Sequence, residues 1–238
     1  MAERKRTDRR KRPRGGDAGL ARAPGEKKSD ATRRHLLDTA LALFTRRGVT
    51  ATTMRDIATA AGMSLGATYY YFPSKEALVY AFYDDNQGVM ERVELTGTVR
   101  ERLGTLFHGK LESVRAHRAM LATIVSRLAD PSDPLSAFSA EQRSVRERAV
   151  LLIARAIDGA VPAAQVPLVA SALWLLQMAS LLVYVHDPSP SQARTHGLVD
   201  DGLDLMVPML PLLATPMGEA IANRVATALA RAHIGVSM

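Results

Sequence analysis

Leu37, Ala40, Leu41 and Phe44 fall at i, i+3, i+4 and i+7, the spacing of one face of a helix. Ser29 or Asp30 can cap its start. Arg46 and Arg47 complement the dipole of its last turn, and Gly48 stands where a left-handed residue is easiest, so a helix over about 31–47 is predicted. A second helix begins after Thr53, an N-cap with Asp56 three residues on, carries Ile57 and Ala58 inward and ends near Gly62. Ser64 can cap a third helix and Ser74 a fourth, with Pro73 breaking the chain between them. Two short helices joined by a turn containing glycine make a helix-turn-helix.

Beyond this the pattern stays helical, over about 74–95, 98–128 with a break near His117, 134–158, 161–186, 190–213 and 217–233. "DPSDPLS", "DGAVPAAQ" and "HDPSPSQ" punctuate it, and neither strand alternation nor a repeat of fixed period is sustained. The expected fold is all-α, with a three-helix unit over 31–78 and a larger helical domain over 79–238. Gly159 to Val185 has no charged residue and is long enough to span a bilayer. Pro167, Ser171, Gln177 and Ser180, with no flanking Lys/Arg cluster, point instead to a helix buried on two sides. No membrane partner is expected.

Hydrophobic residues at 47% and charged ones at 23% are ordinary globular usage, and the absence of Cys removes disulfides, thiolate nucleophiles and Cys-based metal sites. That composition suits a cytoplasmic protein. The net charge of +7 is uneven: residues 1–30 contribute +6, 31–80 contribute +3 and the remainder −2. A chain basic at one end docks on polyanions, either nucleic acid or an anionic membrane surface. Residues 1–30 have almost no large apolar side chains, so they are expected to form a disordered basic arm with no apolar segment of an export signal. The arm is either a passive solvated tail or one whose arginines reach phosphates or a minor groove.

The major groove of B-DNA admits one helix, whose first residues meet base edges. Ser64, Leu65, Gly66, Ala67 and Thr68 are short or slender, so the backbone can approach bases while hydroxyls or methyl groups read them. A tyrosine pairs an apolar ring with a hydroxyl suited to phosphate, and Lys75 adds charge at the next helix start. Winding of about 100° per residue prevents Tyr69, Tyr70 and Tyr71 from all facing one way. Phe44, Ile57, Phe72 and Leu78 are expected in the core.

"TTMRDIATAAGMSLGATYYYFPSKEAL" resembles the signature of the TetR family of bacterial regulators. The resemblance covers Leu36 to Leu78 and includes the Thr-x-x-x-Ile-Ala step, the Ala-Gly-x-Ser turn, the Gly-x-x-Tyr helix and the Phe-x-Ser-Lys-Glu exit. It implies an N-terminal domain that binds a palindromic double-stranded DNA operator as a dimer, usually repressing. It also implies a helical C-terminal domain that binds a small inducer and forms a homodimer through its last long helices. By position, Thr53 caps the second helix and meets a phosphate beside Arg55, which can reach a base or the backbone. Ser64, Leu65, Gly66 and Ala67 take the base-facing start of the recognition helix, and Tyr69, Tyr71 and Lys75 take backbone-contacting positions. Tyr70 either joins them or packs inward, and Thr68, where an aliphatic residue is commoner, either packs inward or helps read DNA.

A ligand pocket is sought among Trp174 and Met178, one turn apart in the apolar helix, with Phe107, Met120, Phe138 and Tyr184, for a small apolar or aromatic inducer; for any one of them plain core is the commoner role of an apolar side chain at helical spacing. The six histidines show no metal-ligand spacing, and no Gly-x-Ser-x-Gly, Walker or dinucleotide loop occurs, so no catalytic residue, metal or cofactor is expected. Two functions follow: a ligand-released repressor, or a helical dimer that binds a hydrophobic small molecule without regulating DNA.

Overall fold

The computed structural model describes residues 28–130 and 132–231, and among these the chain is helical with no strands. Ten α-helices follow in order: α1 Lys28–Arg47, α2 Met54–Ala60, α3 Leu65–Tyr71, α4 Lys75–Glu91 and α5 Val99–Ser113, then α6 Arg118–Ala129, α7 Arg143–Ala156, α8 Val166–His186, α9 Ala193–Met206 and α10 Pro216–Arg231. The basic arm expected over 1–30 lies outside the described residues except for its last three. These belong to α1, which is already formed at Lys28, so Ser29 and Asp30 sit in its first turn instead of capping it.

Local chemistry accounts for the N-terminal half. Gly48 ends α1 with φ +79° and donates its N–H to the Phe44 carbonyl at 2.8 Å. Thr53, Ser64 and Ser74 each accept a backbone N–H from three residues on, capping α2, α3 and α4. Leu36, Phe44, Ile57, Phe72 and Leu78 are buried in one cluster that continues through Phe107 and Met120 to Tyr184. The boundary expected between 78 and 79 falls inside α4, which packs on α1, α5 and α7. The two halves are therefore joined by a continuous helix, not a linker.

The break expected near His117 is present as a 3₁₀ turn over Arg115–His117 between α5 and α6. The helix expected over 134–158 starts only at Arg143. Side chains compete for the backbone before it: Asp133 accepts the Leu135 N–H, and Ser136 accepts the Phe138 N–H while donating to the Leu128 carbonyl. The span expected over 190–213 is also divided. Ser191 and Gln192 have positive φ ahead of α9, and Pro208 and Pro211, which lack N–H donors, convert 207–214 to a 3₁₀ segment. The apolar α8 packs against α5, α6, α7 and α9 and buries Leu173, Trp174, Gln177, Leu181 and Tyr184. It is long and apolar enough to cross a membrane, and this packing covers one side of it.

Candidate nucleic-acid interface and ligand cavity

In α3 the N-cap Ser64 hydroxyl accepts the Ala67 N–H at 3.1 Å, and Gly62 in the preceding turn has φ +66°. Of the helix's seven residues only Thr68 is buried. Ser64 and Gly66 are exposed, and Leu65 and Ala67 are half-exposed. A Cβ added to Gly66 would meet nothing within 4 Å, and its backbone is helical, so neither packing nor conformation within the chain requires glycine there. Glycine in a helix costs about 1 kcal/mol relative to alanine.

The aromatic run divides. Phe72 is buried under the guanidinium of Arg33, 4.6 Å from its ring centre. Tyr71 is half-buried against the core, whereas Tyr69 is 47% and Tyr70 82% exposed. Tyr70 meets the Tyr71 ring edge-on, with centroids 5.2 Å apart, and points its hydroxyl at no protein partner among the described residues. Packing inward, one of the two placements open for it, is therefore excluded. Thr68 goes the other way: it is fully buried and its hydroxyl donates to the Ser64 carbonyl at 3.1 Å, so it cannot touch DNA. Its place as a DNA-binding residue is corrected.

Two further expected contacts are engaged within the chain. The Thr53 N–H donates to Asp56 Oδ2 at 2.9 Å and its hydroxyl accepts the Asp56 N–H at 3.1 Å, a closed capping box, and the hydroxyl also donates to Asp56 Oδ2 at 2.6 Å. These hydrogen bonds from Thr53 hold the Asp56 carboxyl below the usual carboxylate range. With its one proton committed to Asp56, Thr53 must exchange partners to donate to a phosphate. Lys75 Nζ donates to the Val49 carbonyl at 2.8 Å and the Thr50 carbonyl at 3.3 Å, tying α4 to the turn before α2. Arg55 is exposed and makes no ion pair among the described residues, as are Arg46 and Arg47 at the end of α1.

A cavity of about 80 Å³ lies between α4, α5, α6, α7 and α8. Of the six residues named for a ligand pocket, Trp174 and Met178 line it. The other four candidates do not: Phe107 and Met120 are plain core, Phe138 stands behind Trp174 with ring centroids 5.6 Å apart, and Tyr184 borders a separate open cleft beside Arg118 and His196. In their place the lining includes Phe82, Tyr83, Asn86, Lys110, Arg146 and Gln177. Lys110 Nζ donates to Asn86 Oδ1 at 2.6 Å, and desolvation pulls the ammonium down to about 8. Burial pushes the Tyr83 phenol up, and its hydroxyl has no partner among the described residues.

Residues 36–82 match the model of bacterial regulatory proteins of the tetR family, and residues 102–221 match a tetracyclin repressor-like C-terminal domain. The chain belongs to the TetR family. It is 36% identical over 103 residues to the HTH-type transcriptional repressor KstR2 of Mycobacterium tuberculosis, an overlap of 39% of this chain and 48% of that protein. The chain thus spans about half the length of the curated relatives it matches. A TetR-family regulator from Streptomyces coelicolor superposes with a TM-score of 0.57 at 23% identity, over 84% of this chain and 98% of that one. The transcriptional regulator FadR from Bacillus subtilis, solved in complex with stearoyl-CoA, gives 0.57 at 15% identity, over 71% of this chain and 96% of that one.

The family whose model matches residues 36–82 is one of bacterial regulatory proteins. No group of His, Asp or Glu suited to a metal occurs among the described residues. The cavity residues that sequence reasoning missed left one trace. Leu103, Phe107, Lys110 and Val114 recur at helical spacing in α5, which sets Lys110 on the face that otherwise turns to the core.

Proposed function

We propose that this chain is a dimeric transcriptional repressor that binds a palindromic operator and leaves it when a small, mainly apolar ligand enters the cavity between α4, α5, α6, α7 and α8. One observation carries the DNA half of that reading: α3 is a seven-residue helix with a single buried residue, so its place in the fold is not explained by burial. Its outward face holds Ser64, Gly66 and Ala67 toward bases and Tyr69 and Tyr70 toward the backbone, with Arg55 beside it. The relation to the repressor KstR2 supports the same direction of control.

Dimerisation is supported by apolar side chains with no cover in one chain. Leu182 and Val183 on α8, Leu198 and Leu205 on α9, and Ile221 and Val225 on α10 are exposed, and α10 packs mainly on the 207–214 segment. A second copy on these helices would bury them. Ligand control is supported by α4, which runs from the N-cap at Ser74, beside the DNA-binding helices, to Asn86 at the cavity. A ligand that favours one position of α4 over another changes the spacing of the two recognition helices, and half-sites about 34 Å apart tolerate only one spacing. Such a protein acts in the cytoplasm.

Salt titration against the DNA upstream of its own gene tests this. Phosphate neutralisation makes log K fall steeply with log salt, and an affinity indifferent to salt and to sequence would leave only a ligand-binding dimer that does not regulate DNA.

A further inference from the structure

We propose that the ligand of this cavity is a carboxylate on an apolar body, its acid group received by Lys110, Arg146 and Tyr83. The proposal rests on the reading of the cavity as the ligand site and adds the chemical class.

The lining of the cavity is out of balance. Phe82, Val114, Leu121, Trp174, Met178 and Leu181 form an apolar wall, yet two cations share it and none of its residues is Asp or Glu. Lys110 has one neutral acceptor, Asn86 Oδ1. Arg146 donates from Nη1 to the carbonyls of Ala137 at 2.8 Å and Ser139 at 3.2 Å. Neither makes an ion pair among the described residues. Elsewhere Arg148 pairs with Asp84 and Glu91, Arg127 with Glu76 and Asp133, and Arg100 with Asp200 and Asp204, whereas Arg146, like Arg102 and Arg118, rests on backbone carbonyls.

A cation taken from water without a counter-charge is costly, and an enclosed hydroxyl without a partner adds to that cost. The Tyr83 side chain lines this cavity, and its buried hydroxyl has no hydrogen-bond partner among the described residues. Donors are thus in excess and acceptors are few. A carboxylate brings two acceptor oxygens and one negative charge, matching a donor-rich pocket of net positive charge. A neutral alcohol satisfies the hydroxyl but leaves both charges bare, and a cationic amphiphile is repelled. The apolar wall requires the remainder of the ligand to be hydrocarbon or aromatic.

Trp174 is the chain's single tryptophan and stands in the cavity wall, so its fluorescence reports occupancy without a label. The full chain is titrated at pH 7 with three probes of one chain length: octanoate, 1-octanol and octylammonium. Octanoate is expected to bind about tenfold or more tighter than 1-octanol, the worth of one charge-assisted hydrogen bond, with octylammonium weakest. That advantage should largely disappear in Lys110→Gln. Tyr83→Phe, which removes a hydroxyl without a partner and leaves the ring in place, should weaken octanoate several-fold without lowering thermal stability. Equal binding of 1-octanol and octanoate overturns the assignment of charge alone, as does an octanoate preference that survives in both variants. If none of the three probes binds, the ligand-cavity reading falls and this proposal with it, while the DNA-binding reading stands on its own salt titration.

Discussion

Lys75 at the start of α4 donates its ammonium to the Val49 carbonyl, 2.8 Å away in the turn that precedes α2. By position in the sequence Lys75 is a phosphate contact, but in the fold it is first a brace between α4 and the helix-turn-helix. Lys75→Met should therefore lower stability by about 1–3 kcal/mol, the worth of hydrogen bonds to a charged group, seen as a lower thermal midpoint. The slope of log K against log salt should change by less than the roughly one unit expected for a lost phosphate contact. A full unit lost with no change in stability would return Lys75 to the DNA backbone.

Gly66→Ala separates folding from binding. No atom lies within 4 Å of the added methyl group and the helix backbone accepts it, so the variant should gain about 0.5–1 kcal/mol of stability. Operator affinity should drop, because the methyl group occupies the space through which α3 approaches bases. Calorimetry and gel-shift titration on the same preparation measure both.

Tyr70 and Thr68 are two residues apart and should behave as opposites. Tyr70→Ala removes a side chain that is 82% exposed, so stability should move by less than about 0.5 kcal/mol while DNA affinity falls several-fold. Thr68→Val removes a buried hydroxyl whose acceptor, the Ser64 carbonyl, keeps the Thr68 N–H at 3.0 Å. It should cost about 1 kcal/mol or less and leave base preference unchanged in a binding-site selection.

Lys110 predicts a pH dependence of stability. Its pKa falls from 10.5 in the unfolded chain to about 8 in the fold, so between those values the unfolded chain holds more protons and stability rises with pH. The ionisable neighbours lining the cavity, Tyr83 from α4 and Arg146 from α7, keep their protonation across this window, and α8 contributes none. Denaturation midpoints of the ligand-free protein should increase from pH 8 to 10 in the wild type and lose that component in Lys110→Met. Affinity for octanoate should run the other way and decline above about pH 8, as the ammonium that receives the carboxylate loses its proton.

Caps and periodicity made the N-terminal half legible: Thr53, Ser64 and Ser74 each act on a backbone N–H three residues away, so sequence spacing and geometry coincide. The turns through 133–142 were not legible, because Asp133 and Ser136 divert the backbone through contacts that helical spacing does not encode. The cavity was legible only in Trp174 and Met178. Its polar residues come from α4, α5, α7 with the residue before it, and α8, whose mutual placement depends on packing between helices, and a charged residue on a core-facing stripe is ordinarily assigned to the surface. For Tyr70, only the rotation of α3 against its own domain decided that it faces outward.

Footprinting on the DNA upstream of its own gene tests the repressor reading most directly. The protein should protect two symmetric half-sites about one helical turn, roughly 34 Å, apart, and the protection should weaken in Tyr70→Ala and recede as octanoate is added. Intact dimers that protect no site on that DNA would contradict it.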